Sequence, residues 1–162
     1  MLVLGVDPGL AITGYGLVRG GTDHQRLVEF GVIRSRPKDP MEKRVGAIFS
    51  GMIEILEEMH PDIVSMEDLY SHIKHPKTAV IMAHARGAIL AAADSHGIPV
   101  INYSATKIKS ALTGNGRARK EQVRQMVMSM LNMTEIPEPI DKSDALAAAI
   151  CHINQNQGVP TA

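Results

Sequence analysis

Two acids stand directly behind short apolar runs. Asp7 follows residues 2–6 and Glu67 follows residues 63–66. Each run has the length and composition of a buried strand. If those strands are parallel neighbours, both carboxylates come to one end of a sheet, where the functional groups of α/β folds gather. Asp141 and Asp144 lie three apart, just ahead of an almost wholly apolar stretch that begins at Ala145. That spacing puts them on one face of a helix's first turn. Each acid also has a plainer reading. Loop residues at strand ends are commonly just solvated, and Asp141 suits an N-cap in a turn where the helix dipole favours acids. Four converging carboxylates would repel one another, and such repulsion is tolerated where divalent cations neutralise it. Hard oxygen donors favour Mg²⁺, with Mn²⁺ as a substitute, over zinc. Two such ions sharing a carboxylate suit in-line attack of water on a phosphodiester, one activating the water and the other stabilising the leaving oxygen.

A basic cluster stands apart from the acids. Residues 104–124 hold Lys107, Lys109, Arg117, Arg119, Lys120 and Arg124 against the single acid Glu121, in a chain whose 17 basic and 17 acidic residues otherwise cancel. Gly114 and Gly116 leave backbone N–H groups accessible beside them. The cluster fits a phosphate-binding surface; the alternative is a solvated helix face. Tyr70 closes the loop after Glu67 and is followed by His72, Lys74, His75 and Lys77. Its ring suits stacking on an unpaired base, or ordinary packing. His72 and His75 have no cysteine partner nearby, which disfavours zinc.

The elements that must position these groups follow from periodicity. Residues 2–6, 13–19 and 26–34 read as a strand meander, with turns at Asp7-Pro8-Gly9 and around residues 21–23. The period then becomes helical through Met41, Val45, Ile48, Phe49, Met52, Ile55, Leu56 and Met59, ending before Pro61. Residues 63–66 and 99–103 are further strands. Between them, residues 78–95 form an alanine-rich helix that contains Ala85-Arg86-Gly87. A helix apolar on most faces is buried or shared with a second subunit, and Ala88 and Ala92 are candidate contact positions. Ser104 caps a short helix to Leu112, a second helix carries Val123, Met126, Val127, Met130 and Leu131, and the last opens at Asp141 with a core stripe of Leu146, Ala149, Ile150 and Ile153. Cys151 within it reads as inert. A meander followed by strand–helix alternation predicts an α/β fold, a five-stranded mixed sheet flanked by helices.

The chain has 162 residues, 44% hydrophobic and 21% charged, the composition of one globular domain. That domain is expected over residues 1–157, with 158–162 a short tail. One cysteine excludes an intramolecular disulfide framework. No apolar run is long enough to cross a membrane, and the N-terminus lacks the basic flank of a signal peptide, so a cytoplasmic location is expected.

The sequence resembles the RuvC family of crossover junction endodeoxyribonucleases, the Holliday junction resolvases. Leu4-Gly5-Val6-Asp7-Pro8-Gly9 with Thr13-Gly14-Tyr15-Gly16 matches the family's first motif and Met66-Glu67-Asp68 its second. Ala85-Arg86-Gly87 resembles its Q-A-R-G segment, and Asp141-Lys142-Ser143-Asp144-Ala145-Leu146-Ala147 its terminal D-x-x-D-A-L-A. The match runs in order from residue 1 to about residue 153. It implies a ribonuclease H-like fold, a homodimer, and a Mg²⁺-dependent tetrad carried onto Asp7, Glu67, Asp141 and Asp144. It aligns Lys109 and Lys120 with the family's lysines around the glycine loop and Tyr70 with its stacking aromatic. It implies paired symmetric nicks in a four-way DNA junction, during recombination and repair, alongside a branch-migration complex. The sequence departs from the family pattern at Leu10, Ala11, Tyr70 and His84, but at none of the carboxylates.

Three other readings fit parts of the sequence. An actin-like phosphotransferase needs a second copy of the fold, for which 162 residues leave no room. A non-catalytic DNA-structure binder has no use for four converging acids. Hydrolysis of RNA–DNA hybrids is the nearer rival, separated by substrate choice.

Overall fold

The structure, a computed structural model, describes residues 1–21, 24–69, 76–135 and 141–156, and for Asp141 the backbone alone. Strands β1 (Leu2–Asp7), β2 (Ile12–Arg19) and β3 (Arg26–Arg34) form the expected antiparallel meander. Helix α1 (Met41–Met59) leads to β4 (Ile63–Glu67), and α2 (Pro76–Ser95) leads to β5 (Val100–Tyr103). Then come α3 (Ala105–Thr113), α4 (Lys120–Met130) and α5 (Asp141–Asn156). The sheet order is β3-β2-β1-β4-β5, with β4 parallel to both β1 and β5. The five-stranded mixed sheet read from the sequence is therefore the one formed. As expected, Ser104 caps α3: its hydroxyl accepts from the Lys107 backbone N–H at 3.2 Å.

Central β1 is buried on both faces, which is why its sequence is a continuous apolar run instead of an alternating one. Its side chains still alternate between two cores. Leu2, Leu4 and Val6 join Val64 and Met66 of β4 beneath α1 and α2. Val3 faces the other way, into a core built with α3, α4 and α5.

Helix α5 lies directly on this second face. Ala145 to Cys151 are all buried, as the lack of a polar stripe requires. Two cross-strand partners, Gly5 and Gly16, make room for it. A Cβ at Gly5 would sit 1.9 Å from the Ala145 carbonyl oxygen, and one at Gly16 would sit 2.4 Å from Leu146 Cδ2. Only glycine permits that approach. The buried Ser65 hydroxyl of β4 donates to the Ala148 carbonyl at 2.8 Å, which pins α5 across the neighbouring strand and satisfies both groups. The Lys142 ammonium, 5.2 Å from the centre of the Phe30 ring, ties the first turn of α5 to β3.

One sequence expectation is corrected. Ala92 is not an outward contact position: with Ala85, Ile89 and Ala93 it packs into this chain's own core, while Ala88, also largely buried, reaches the wall of a groove between α1 and α2. The outward side of α2 carries the exposed Val80, Leu90 and Ala91. An alanine-rich helix has no polar stripe to mark which side faces the sheet.

Candidate active site

The β1–β4 register pairs Val6 with Met66, so Asp7 and Glu67 follow side by side at the carboxyl ends of two parallel strands. Both acids lie two residues on from positions that face α5, Gly5 and Ser65, so strand alternation turns them to that face. The first turn of α5 arrives there because Gly5 and Gly16 let the helix settle onto the sheet. The result is a cleft of about 300 Å³ walled by Asp7, Pro8, Glu67, Asp68, Leu69, Met82, Arg86, Lys120 and Asp144. Three of the four acids singled out in the sequence thus line one cavity, brought from β1, β4 and α5. The fourth, Asp141, opens α5 one turn earlier.

The acids interact. Glu67 keeps contact with solvent, yet the cleft walls strip enough water from its carboxyl to raise its pKa above the ordinary glutamate value. The charge of Asp144 raises it further, while Lys120 and Lys109 pull it back down. The Lys120 ammonium lies 3.5 Å from Asp144 Oδ2. It is largely exposed, so the pair adds little stability. An adjoining recess is lined by Glu67, Lys109, Lys120 and Asp144, with Ile108, Val123 and Ala147 as its apolar floor.

The basic cluster is thereby divided. Lys109 and Lys120 stand beside the carboxylates. The Lys107 charge is felt at the Cys151 thiol, and Arg117 and Arg119 are exposed on the approach to α4; none of these three lines the cleft. Arg124 pairs with Glu121 at 3.8 Å. Tyr70, His72 and His75 lie outside the described residues. Cys151 is buried, which pushes its thiol up to about 11 and fits the inert role read for it. His84 bonds the Val80 carbonyl and lines a groove on the opposite side of the sheet, so this departure from the family pattern does not touch the acids.

Among the described residues, no three His, Cys, Asp or Glu side chains converge tightly enough to hold one ion among them. The donor set nevertheless suits a hard divalent cation. It consists of carboxylate oxygens, and their mutual repulsion, visible at Glu67, is what such a cation relieves. Lys120 supplies part of that relief here.

Arg86 is the cleft residue that spacing alone did not single out. It sits in a motif that the sequence displays, but its acceptors come from β4 and β5 and are set only by tertiary register.

A mixed sheet in this order, with acids at the carboxyl ends of its parallel central strands and a third delivered by the last helix, defines a nuclease of the ribonuclease H-like class. The model of the family described as crossover junction endodeoxyribonuclease RuvC matches residues 3–152. The chain is 42% identical to the crossover junction endodeoxyribonuclease RuvC of Rhodopirellula baltica, covering 92% of this chain and 84% of that one. It is also 42% identical to that of Moorella thermoacetica, covering 94% and 90%. RuvC of T. thermophilus, solved in complex with a Holliday junction substrate, superposes with a TM-score of 0.91 at 35% identity over 97% of this chain and 95% of that one. The chain belongs to the RuvC family: it is a junction-resolving endodeoxyribonuclease.

Proposed function

We propose that this chain resolves four-way DNA junctions as a homodimer, each protomer hydrolysing one phosphodiester in a site built from Asp7, Glu67, Asp141 and Asp144. The observation that carries the reading is that Asp7, Glu67 and Asp144 come from three separate elements to one cleft with Lys120. A purely DNA-binding domain has no reason to assemble that repulsion.

The four carboxylates would hold two Mg²⁺ ions; Mn²⁺ would serve in their place. Bound cations supply charge neutralisation at the scissile phosphate and lower the pKa of the attacking water. The chain's own groups do the rest. Lys109 and Lys120 hold phosphates of the cleaved strand beside the acids, and Lys107, Arg117 and Arg119 extend that contact along the DNA. Water oxygen bonds to phosphorus as the bond to the departing sugar oxygen breaks. Tyr70, three residues past Glu67 in sequence, stacks on a base unpaired at the junction centre.

The dimer reading is supported by a shallow groove between α1 and α2, lined by Met41, Val45, Phe49, His84, Ala88 and Ala91 and almost wholly apolar. Val80 and Leu90, exposed on the outward side of α2, add to the apolar area there, and such area is expected to be covered. A two-fold dimer matches a two-fold junction and makes the two nicks symmetric. No helix of the described residues is long and apolar enough to cross a membrane. We place the chain in the cytoplasm, beside a branch-migration complex, on the strength of the family.

The experiment is cleavage of an immobile four-way junction by the wild-type chain with Mg²⁺ and with chelator, reading nicks on each strand. Paired nicks on opposed strands, lost on chelation, support the reading. Binding without cleavage under Mg²⁺ or Mn²⁺ would overturn it.

A further inference from the structure

Arg86 occupies a place that neither the acids nor the basic cluster explains. It projects from α2 with its side chain only 13% exposed. Its Nη1 donates to the backbone carbonyl of Glu67 at 2.7 Å, and its Nη2 donates to the Asn102 side-chain oxygen on β5. The same Nη2 lies 3.8 Å from Asp68 Oδ1. One guanidinium thus joins α2, the last residue of β4, the residue after it and β5. Withdrawing a guanidinium from water disfavours its charge, and two hydrogen-bond acceptors with the nearby Asp68 carboxylate offset that here. Lys120 of α4, by contrast, is 71% exposed, with its ammonium 3.5 Å from Asp144 Oδ2.

We propose that Arg86 is a positioning residue for Glu67: by holding the Glu67 carbonyl against α2 and β5, it fixes the end of β4 so that the Glu67 carboxylate stays oriented toward Asp144 and the divalent cation the cleft would hold. This rests on the proposed metal-dependent reading of the same site and adds a residue to it. Three consequences separate this role from other uses of a buried arginine. First, a phosphate contact would release counterions, so its loss would lower junction affinity and flatten the salt dependence. Arg86 directs both of its Nη groups to acceptors within the protein, so neither should change. Second, a merely structural arginine would lower the melting temperature without changing the cation affinity of the molecules that remain folded. Third, lysine retains the charge but presents one point donor in place of a fork, so it should not restore the geometry.

The test uses the full chain and the variants Arg86→Gln, Arg86→Lys and Asn102→Ala. Mn²⁺ binding to DNA-free protein is followed by electron paramagnetic resonance of the free ion. Junction affinity in Ca²⁺ and its salt slope are measured separately. Loss of a group that orients a metal ligand typically weakens metal binding about 10-fold or more. We expect that loss for Arg86→Gln, a similar loss for Arg86→Lys and a smaller one for Asn102→Ala, with junction affinity and salt slope unchanged. Should Arg86→Gln fail to fold, Asn102→Ala carries the test, since it removes one of the acceptors and leaves the Glu67 bond in place. Mn²⁺ affinity equal to wild type in every folded variant would overturn the proposal, as would a fall in junction affinity with a shallower salt slope. Cleavage by the wild type is run in parallel: its failure would contradict the junction-resolving reading while the DNA-free Mn²⁺ arm still reports on Arg86.

Discussion

The two faces of the sheet carry surfaces of opposite character. On the α5 side, the cleft at the ends of β1 and β4 is lined by Asp7, Glu67, Asp144 and Lys120. On the other side, the groove between α1 and α2 is lined by Met41, Val45, Phe49 and Ala91, with Glu42 and His84 as its polar members. Both depend on β1, whose side chains alternate into the two cores. The cleft concentrates charge that an added cation would relieve, and the groove exposes apolar area that an added protein surface would cover. Each surface is therefore incomplete in its own way, and changes at one should leave the other intact. Helix α2 also borders both, with Met82 and Arg86 at the cleft and His84 and Ala91 at the groove.

The comparison is broken most sharply at the cleft. Asp7→Asn should reduce cleavage by at least about a thousandfold, since losing a charge that stabilises a metal-assisted transition state is worth several kcal/mol. Junction affinity and dimerisation should hold. Single-turnover cleavage with a parallel binding titration checks this, and substantial residual cleavage would remove Asp7 from the machinery.

Next comes the groove. Phe49→Asp puts a charge into apolar surface and should shift sedimentation toward monomer, with single nicks replacing paired ones while the acids stay untouched. A wild-type monomer in the presence of junction DNA would refute both the dimer and the account of pairing.

Gly5→Ala tests the seam on which the cleft depends. Its Cβ would meet the Ala145 carbonyl, so α5 must move, at a stability loss of about 1–3 kcal/mol, as for other overpacking changes. Because Asp144 moves with α5, cleavage should fall while the protein remains folded. Chemical denaturation and cleavage on one preparation read both effects.

Lys109→Ala and Lys120→Ala should each lower the salt slope of junction binding by about 0.7 to 0.9; Lys107→Ala should lower the slope as well but slow single-turnover cleavage of bound junction less, since Lys107 lies outside the cleft. Smallest of all is the effect of Glu67→Gln on stability without metal. The folded pKa of Glu67 lies above its unfolded value. In that window the native state holds more protons than the unfolded state, so stability falls as pH rises and the penalty is complete above the folded pKa. Glu67→Gln removes the penalty. Metal-free melting at pH 7 should therefore be no lower than wild type, with a flatter pH dependence through the window just above the ordinary carboxylate range.

Much of the cleft was legible in the sequence, because an apolar run that ends in an acid shows both the strand and what stands at its end. Asp7 and Glu67 could be set side by side once β1 and β4 were taken as parallel, and Asp144 followed from helical spacing. The groove was half legible. The alanine content of α2 points to close packing, but without a polar stripe the sequence does not separate Ala88, which reaches the groove, from Ala92, which lies in the core. Gly5 and Gly16 could not be recognised as a seat for α5, since that requires knowing which helix crosses β1. Arg86 was visible only as part of a motif, because its acceptors, the Glu67 carbonyl and Asn102, meet only in the folded sheet.

The most direct measurement sets four-way junction, linear duplex and RNA–DNA hybrid side by side with the wild-type chain and Asp7→Asn, each with Mg²⁺ and with chelator. Symmetric nicks should appear only in the junction, only with Mg²⁺ and only with wild type, while Asp7→Asn binds the junction as tightly. Cleavage of the hybrid in preference to the junction, or junction cleavage that survives chelation, would contradict the account.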